Sequence, residues 1–401
     1  MGARGPSLCS ALLLAASGVW AEMDEYAVDA EDDFELPAEE MADAMADGGF
    51  ELDDAKFAGN PMQRLFKRWP EDLVVAPIPG RSPQLGFQLT VVGGYFLGER
   101  DEAAGKRPSA IGGFAMASDN GSYAFGVGAN LRFFDDRLRV QAGAGYADIR
   151  YKFYGFGDLV GDSGRNIEIE QEAPLYFANA KWRFWNKLYA GFGFVRGDVE
   201  TRTRVPLPPD WPIDLNPSFN VDLGALWVPV QFDSRDHEQF PRRGWLIDGD
   251  TKIYRDDFGS DFEAETYKLA LNHYRAMRAR DALALRMVVK GTGGDAPFFL
   301  LSSFGSGPDL RGYPAGRYRD KLMYAIQAEY RWHLHDSWIL TGFAGVGEVA
   351  EEVGDFGDDF LPAAGVGARY VLSKKHRVSI SADLAVGRHG AEFYIGIGEA
   401  F

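Results

Sequence analysis

The stretch that decides the fold is KLMYAIQAEYRWH, residues 321–333. Apolar side chains recur there at every second position, and a period of two residues indicates a β-strand with one apolar and one polar face. The apolar face carries Leu322, Tyr324, Ile326, Ala328, Tyr330 and Trp332, and the polar face carries Gln327, Glu329, Arg331 and His333. Residues 377–386 (RVSISADLAV) and residues 219–227 alternate in the same way.

Alternation continues along the chain from about residue 71. It also occurs in β-sandwiches, so other features must decide the class. The predicted strands often reach 10–15 residues, short turns alternate with longer loops, and aromatic residues gather near strand ends. These features are typical of transmembrane β-barrels, whose apolar face meets lipid. The only continuous apolar run, residues 8–19, is about half as long as the ~20 residues of a spanning helix.

The sequence therefore predicts an all-β fold, a 16-stranded antiparallel transmembrane β-barrel with a long extracellular loop. We expect strands at 71–79, 84–98, 108–118, 121–134, 137–153, 166–184, 188–202, 217–232, 243–256, 261–276, 281–291, 321–333, 337–348, 359–371, 376–387 and 391–401. An even number returns both ends of the barrel to one side. In this register the short turns are periplasmic and the longest loops are extracellular.

Four segments are predicted: a signal peptide at 1–21, an acidic disordered arm at 22–55, a linker or short amphipathic segment at 56–70, and the outer-membrane β-barrel at 71–401. Residues 22–54 hold 15 acidic and no basic residues, so the net charge of -17 belongs mainly to the arm. The rest of the chain is nearly balanced and offers no basic patch for nucleic acid. The only cysteine, Cys9, lies in the predicted signal peptide, so we expect no disulfide or thiolate metal site.

Two motifs point to a family. The first is QFDSRDHEQFPRRGW at 231–245, and the second is FGSGPDLRGYPAGRYRDK at 304–321, with QAEYRW following at 327–332. Their order and spacing resemble the BamA/TamA superfamily of outer-membrane barrels, also called bacterial surface antigens, in a short form that lacks POTRA domains. In that family the first motif is a conserved turn. The matching residues here are Asp233, Arg235, Asp236, Pro241 and Gly244.

The resemblance implies that the second motif is the sixth extracellular loop, folded inward into the barrel. Its tip is Leu310, Arg311, Gly312 and Tyr313, and the family pattern pairs Arg311 with Glu329 on the inner wall. The alternation agrees, because Glu329 lies on the polar face of its strand. The family also carries an inward aspartate on strand thirteen. Gly345 stands there in this chain, so the resemblance implies a more loosely held loop.

The two ends of the predicted barrel have distinctive residues. Pro77 and Pro79 cannot donate ladder hydrogen bonds, which predicts a weakly paired seam between the first and last strands. Tyr394, Gly396 and Phe401 match an outer-membrane recognition signal, whereas Glu399 occupies a position that is normally apolar.

The resemblance implies a role in outer-membrane protein assembly, insertion or translocation, in the outer membrane of a Gram-negative bacterium. The expected partners are outer-membrane lipid, nascent outer-membrane proteins or periplasmic factors, and an assembly machinery for the chain's own insertion. A passive pore or structural barrel without insertase activity is the alternative. We expect no enzyme, cofactor or metal site: the GDSG at 161–164 lacks triad partners and is predicted to be a glycine-rich turn.

Overall fold

The computed structural model describes residues 73–82, 84–97, 109–203, 218–237, 240–278, 280–305, 309–334, 338–373, 378–397 and 399–401. The predicted signal peptide, acidic arm and linker lie outside these residues, as does the predicted turn at 335–336.

Sixteen antiparallel strands close into a barrel, which confirms the predicted fold class. The strands are β1 (Leu73–Ser82), β2 (Gly86–Leu97), β3 (Ser109–Ser118), β4 (Tyr123–Phe133), β5 (Leu138–Phe153), β6 (Ile167–Trp185), β7 (Leu188–Thr203), β8 (Ser218–Asp233), β9 (Gly244–Tyr254), β10 (Ala264–Ala276), β11 (Ala282–Gly294), β12 (Leu322–His333), β13 (Trp338–Ala350), β14 (Leu361–Ser373), β15 (Val378–Gly387) and β16 (Gly390–Ile397). Each strand pairs with its neighbours in the chain, and β1 meets β16.

The outer face is apolar where period two predicts it. On β4 and β15, for example, Phe125, Val127, Leu384 and Val386 are 48–66% exposed, whereas Asp383 on the opposite face of β15 is 6% exposed. Large aromatic residues lie on the outside at the strand ends that the sequence predicts to be periplasmic: Phe133, Phe134, Trp182, Phe184, Trp185 and Trp338. Such an aromatic belt is typical of a barrel that meets the membrane interface.

Strand β8 departs from the predicted orientation. Its apolar residues 219–227 face the interior rather than lipid: Leu223 and Ala225 are fully buried, and the Phe219 ring lies 5.7 Å from that of Phe298. The outer face there carries Asp222, whose side chain is 46% exposed. The apolar face of β8 points inward because apolar side chains of a loop, such as Phe298, fill this part of the lumen. The alternation of residues 219–227 predicted the two-residue period of β8 correctly, but it did not predict which face of the strand points into the barrel.

Loop L6, residues 295–321, accounts for that filling. Its first part contains a 3-10 turn, Phe298–Leu300, whose side chains are buried against β5 and β8. A two-residue ladder, in which Ser302 lies opposite Asp320 and Ser303 opposite Arg319, closes its base. A short helix, α1 (Gly157–Ser163), lies in the loop between β5 and β6. Among the described residues, no helix is long and apolar enough to cross a membrane.

Candidate functional site: the clamped loop L6

The predicted turn motif forms the connection from β8 to β9. Arg235 donates from Nε and Nη2 to the two carboxylate oxygens of Asp233, at 3.0 and 2.9 Å. Asp236 accepts hydrogen bonds from the backbone N–H groups of Arg242 and Arg243, at 2.9 and 3.0 Å.

Two further residues shape the same connection. Gly244 has φ +108, and a Cβ atom there would lie 2.4 Å from the Ser234 carbonyl oxygen, so only glycine fits. Pro241 is buried. The motif residues therefore hold the shape of the turn between β8 and β9 and do not converge on the loop tip.

The tip of L6 is held by charges of both signs. Asp309 is 3% exposed and pairs with Arg286 of β11 at 2.8 Å and with Lys290 of the same strand. Two residues on, Arg311 is 4% exposed and pairs with carboxylates of other strands. The sequence did not point to Asp309, Arg286 or Lys290, although the inward period of β11 places both cations on the luminal face.

Arg311 binds two carboxylates at once. Its Nη2 donates to Glu329 Oε2 of β12 and its Nη1 to Asp383 Oδ2 of β15, both at 2.6 Å. The guanidinium carbon also lies 3.5 Å from the centroid of the Phe343 ring, close enough for a cation–π interaction. The structure thus brings together the two residues that the resemblance pairs, and adds a second acid from a different strand.

Asp383 occupies the role that the family pattern gives to strand thirteen. Gly345 on that strand leaves no room for a side chain, because a Cβ atom would lie 2.6 Å from the Ile326 carbonyl oxygen and 2.9 Å from Leu310 Cδ1. Leu310 of the motif packs into this space instead. The period of residues 377–386 already places Asp383 inward, but nothing in the sequence says that it reaches Arg311.

Three arginines and three acids alternate around a closed circuit, which we call the charge ring. Its edges are Arg311–Glu329 at 2.6 Å, Glu329–Arg331 at 2.9 Å, Arg331–Glu399 at 3.3 Å, Glu399–Arg369 at 3.3 Å, Arg369–Asp383 at 2.5 Å and Asp383–Arg311 at 2.6 Å. No side chain of the ring is more than 8% exposed. Each buried charge therefore has partners of opposite sign, which burial requires.

The segment 399–401 differs from the predicted last strand. Strand β16 ends at Ile397, and Glu399 turns inward to the charge ring, while Arg331 Nη2 donates to the Phe401 carbonyl oxygen at 2.5 Å. The Phe401 ring lies 5.9 Å from the guanidinium carbons of Arg286 and Arg331. The physical reason is charge: an acid is stabilised beside luminal arginines and costly in lipid. Phe401 thus contacts the luminal arginines.

The remaining motif residues attach the tip of L6 to the last strands. Gly312 has φ +114, and its N–H donates to Tyr394 Oη of β16 at 2.9 Å. Tyr313 Oη donates to the Pro362 carbonyl oxygen of β14 at 2.6 Å. Gly396 lies opposite Ser381 on β15. Tyr394, expected only as part of a recognition signal, therefore also contacts the loop motif.

Comparison with known structures identifies the fold. No family model matches the sequence, and no curated protein does. BamA from Haemophilus ducreyi lacking POTRA domains 1–3 superposes with a TM-score of 0.57 at 13% identity, over 81% of this chain and 70% of that chain. The chain has the fold of a BamA-type outer-membrane barrel.

Two CdiB barrels share that fold. CdiB from Acinetobacter baumannii gives a TM-score of 0.52 at 10% identity over 82% of this chain, and CdiB from Escherichia coli gives 0.56 at 10% over 82%. This chain spans 59% and 64% of the length of those two chains. The BamA-type fold is thus shared despite very low sequence identity.

A second set of contacts holds L6 of the BamA-type barrel at the end that the sequence predicts to be extracellular. Tyr318 Oη donates to Asp162 Oδ1 of α1 at 2.6 Å, and His389 Nε2 lies 2.9 Å from the same oxygen. Arg388 pairs with Asp162 at 3.0 Å and also with Asp359, which lies in the loop between β13 and β14. We call these five residues the extracellular clamp. Asp162 belongs to the predicted GDSG turn, which is the end of a helix capped by Gly164 at φ +67.

Burial and partners act on the ionisation of the extracellular clamp. Burial raises the pKa of Asp162, but hydrogen bonds from Tyr318 and His389 and the charge of Arg388 outweigh burial, so the pKa lies below its usual value. Burial and the bond to Asp162 raise the pKa of Tyr318. The clamp is therefore built around an ionised carboxylate. Among the described residues, no group of three or more His, Cys, Asp or Glu side chains is arranged to hold a metal ion.

The seam of the BamA-type barrel is the junction of β1 and β16. β1 pairs with β2 from Leu73 to Ser82, whereas the described residues of β1 and β16 form one bridge, Arg81 opposite Ile395. Arg81 Nη1 donates to the Phe393 carbonyl oxygen at 2.9 Å, so a side chain satisfies a backbone acceptor there. Pro77 and Pro79 lie on β1 with exposed side chains.

Proposed function

We propose that this chain is an outer-membrane protein of a Gram-negative bacterium that inserts or translocates proteins through lateral opening of the barrel between β1 and β16. One observation carries the proposal: the two strands meet at a single bridge among the described residues, whereas the other neighbouring strands pair over long ladders. A junction with few backbone hydrogen bonds costs the least to separate. The mechanism is mechanical and needs no chemical catalysis.

Prolines explain why the seam is weak. Pro77 and Pro79 are two residues apart, so their nitrogen atoms face the same neighbouring strand. Because β1 is paired with β2 along its whole length, we infer that the missing donors face β16. Separation of the seam would expose unpaired strand edges, and such edges can template an incoming strand of a client protein.

The expected partners follow from this mechanism. Outer-membrane lipid contacts the exposed apolar face, and nascent outer-membrane proteins would pair with the open edges. Periplasmic factors would deliver such clients, and the chain needs an assembly machinery for its own insertion. L6, held by the charge ring and the extracellular clamp, keeps the lumen filled in the closed state.

A disulfide across the seam tests the proposal. In a Cys9→Ser background, Arg81→Cys with Ile395→Cys joins opposite residues of β1 and β16, and Arg81→Cys with Phe87→Cys joins opposite residues of β1 and β2 as the matched control. Insertion of a model barrel into liposomes is measured before and after reduction. We expect the seam disulfide to abolish insertion until it is reduced, and the control disulfide to leave it unchanged.

Full insertion activity with the seam oxidised would refute lateral opening, and no activity in the wild-type chain would remove the insertase function. Single-channel recording addresses the passive-pore alternative. A filled lumen predicts a closed wild-type barrel, and release of L6 by Arg311→Ala predicts openings. A steady open conductance in the wild type would favour the pore.

A further inference from the structure

The end of β16 and the tip of L6 are joined at two places. Tyr394 of β16 accepts the Gly312 N–H, and Glu399, just beyond β16, completes the charge ring that includes Arg311. β16 is also one side of the seam. A movement of β16 away from the lumen would therefore act on both contacts of the loop tip.

Within the charge ring, the edges that involve Glu399 are the longest. Both measure 3.3 Å, whereas the other four edges measure 2.5–2.9 Å. Glu399 also lies outside any strand, while Glu329, Arg331, Arg369 and Asp383 are fixed by strand ladders. The ring should consequently open first at Glu399.

Opening at that point changes the environment of Arg311. Without Glu399, the carboxylates of Glu329 and Asp383 must balance the guanidiniums of Arg311, Arg331 and Arg369 alone. The ring then has one uncompensated buried positive charge, and buried charges without partners are strongly destabilising. Arg311 lies on L6, whereas the other two arginines of the ring lie on strands. Withdrawal of Arg311 from the lumen therefore removes the uncompensated positive charge.

We propose that Glu399 is a positioning residue that couples β16 to the tip of L6. Its insertion into the charge ring holds Arg311 and the tip of L6 in the lumen, and its withdrawal with β16 releases them. The segment 399–401 is thus an internal ligand of the luminal arginines Arg331 and Arg369. The inference concerns coupling within the barrel and holds whether or not the barrel inserts proteins.

Cysteine accessibility in L6 tests this coupling. Ala315 is 6% exposed in L6, so Ala315→Cys in a Cys9→Ser background should react slowly with a membrane-impermeant maleimide added from outside. We expect Glu399→Gln to raise the labelling rate about tenfold, within the range of measured couplings between contacting residues. Arg311→Ala should raise it at least as much.

A matched control removes an acid outside the ring. Glu200 pairs with Arg202 of the same strand, β7, at 2.8 Å, with side chains 40% and 46% exposed, and Glu200→Gln should leave the labelling rate at the wild-type value. In the double variant Glu399→Gln with Arg311→Ala, labelling should be no faster than with Arg311→Ala alone, because both changes release the same loop.

Three results would overturn the inference: wild-type labelling in Glu399→Gln, additive effects in the double variant, or wild-type labelling in Arg311→Ala. Circular dichroism and the temperature of barrel unfolding show whether each variant is folded. If Glu399→Gln does not fold, Tyr394→Phe removes the other link without changing charge. It should also raise labelling, and a wild-type rate there would contradict the coupling of β16 to the loop.

Discussion

At the scale of single residues, the charge ring shows that the partners of Arg311 are set by which acidic side chains reach it in space, and not by the sequence motif. Arg311 is the residue that the family pattern singles out, yet it also binds Asp383, which no motif indicates, and Asp383 is linked through Arg369 to Glu399. A buried guanidinium can bind two carboxylates through its planar fork, so an acid from any strand that reaches it can serve. Here β15 supplies that acid in place of β13.

Restoring the family acid should therefore loosen the loop. In Gly345→Asp the new side chain would collide with the Ile326 carbonyl oxygen and Leu310, and we expect a loss of about 1–3 kcal/mol of stability. The measurement is the free energy of barrel unfolding in urea. Gly345→Ala is the control that separates the steric cost from the added charge. A Gly345→Asp barrel that is more stable than the wild type would show that Asp383 is not an adequate replacement.

At the scale of elements, α1, L6 and the turn between β15 and β16 act together through the extracellular clamp. Asp162 on α1 binds Tyr318 of L6 and His389 and Arg388 of that turn. These three segments are far apart in the chain, and Arg388 also binds Asp359 of the loop between β13 and β14, so four segments close the outer mouth. The extracellular clamp holds L6 at Tyr318, and the charge ring holds the tip of L6 in the lumen at Arg311.

The extracellular clamp should open in acid. Because the folded-state pKa of Asp162 is lowered, its carboxylate contributes fully above its ordinary pKa of about 4 and loses that contribution as pH falls through the lowered value. Single-channel recordings should therefore show a closed barrel at pH 7 and pH 5 and more openings only below about pH 4. Asp162→Asn should open at pH 7, whereas Asp257→Asn, at an exposed residue of another loop, should not. Openings that begin near pH 6 would rule out this carboxylate.

At the scale of the whole molecule, the outer and inner faces of the barrel are suited to different surroundings. The outer face carries exposed apolar residues, while the inside carries buried ion pairs and the apolar part of L6. Such an outer face is stable only in contact with lipid or detergent.

Purification tests this division directly. We expect the chain to stay monodisperse only in detergent and to give a circular dichroism spectrum dominated by β-structure. Removal of detergent should cause aggregation, because the exposed apolar side chains lose their solvent. A chain that stays monodisperse without detergent, or a mainly helical spectrum, would contradict the transmembrane barrel.

The sequence by itself determined the two-residue period of the strands and the number of strands, because both depend on local alternation. The weak pairing that Pro77 and Pro79 predict at the seam stays a prediction. It also placed Glu329 and Asp383 on inward faces. Only the tertiary structure decided that Asp383 also meets Arg311, which way residues 219–227 face, and that Glu399 turns into the lumen. These outcomes depend on barrel closure and on L6 filling the interior, which join residues far apart in the chain.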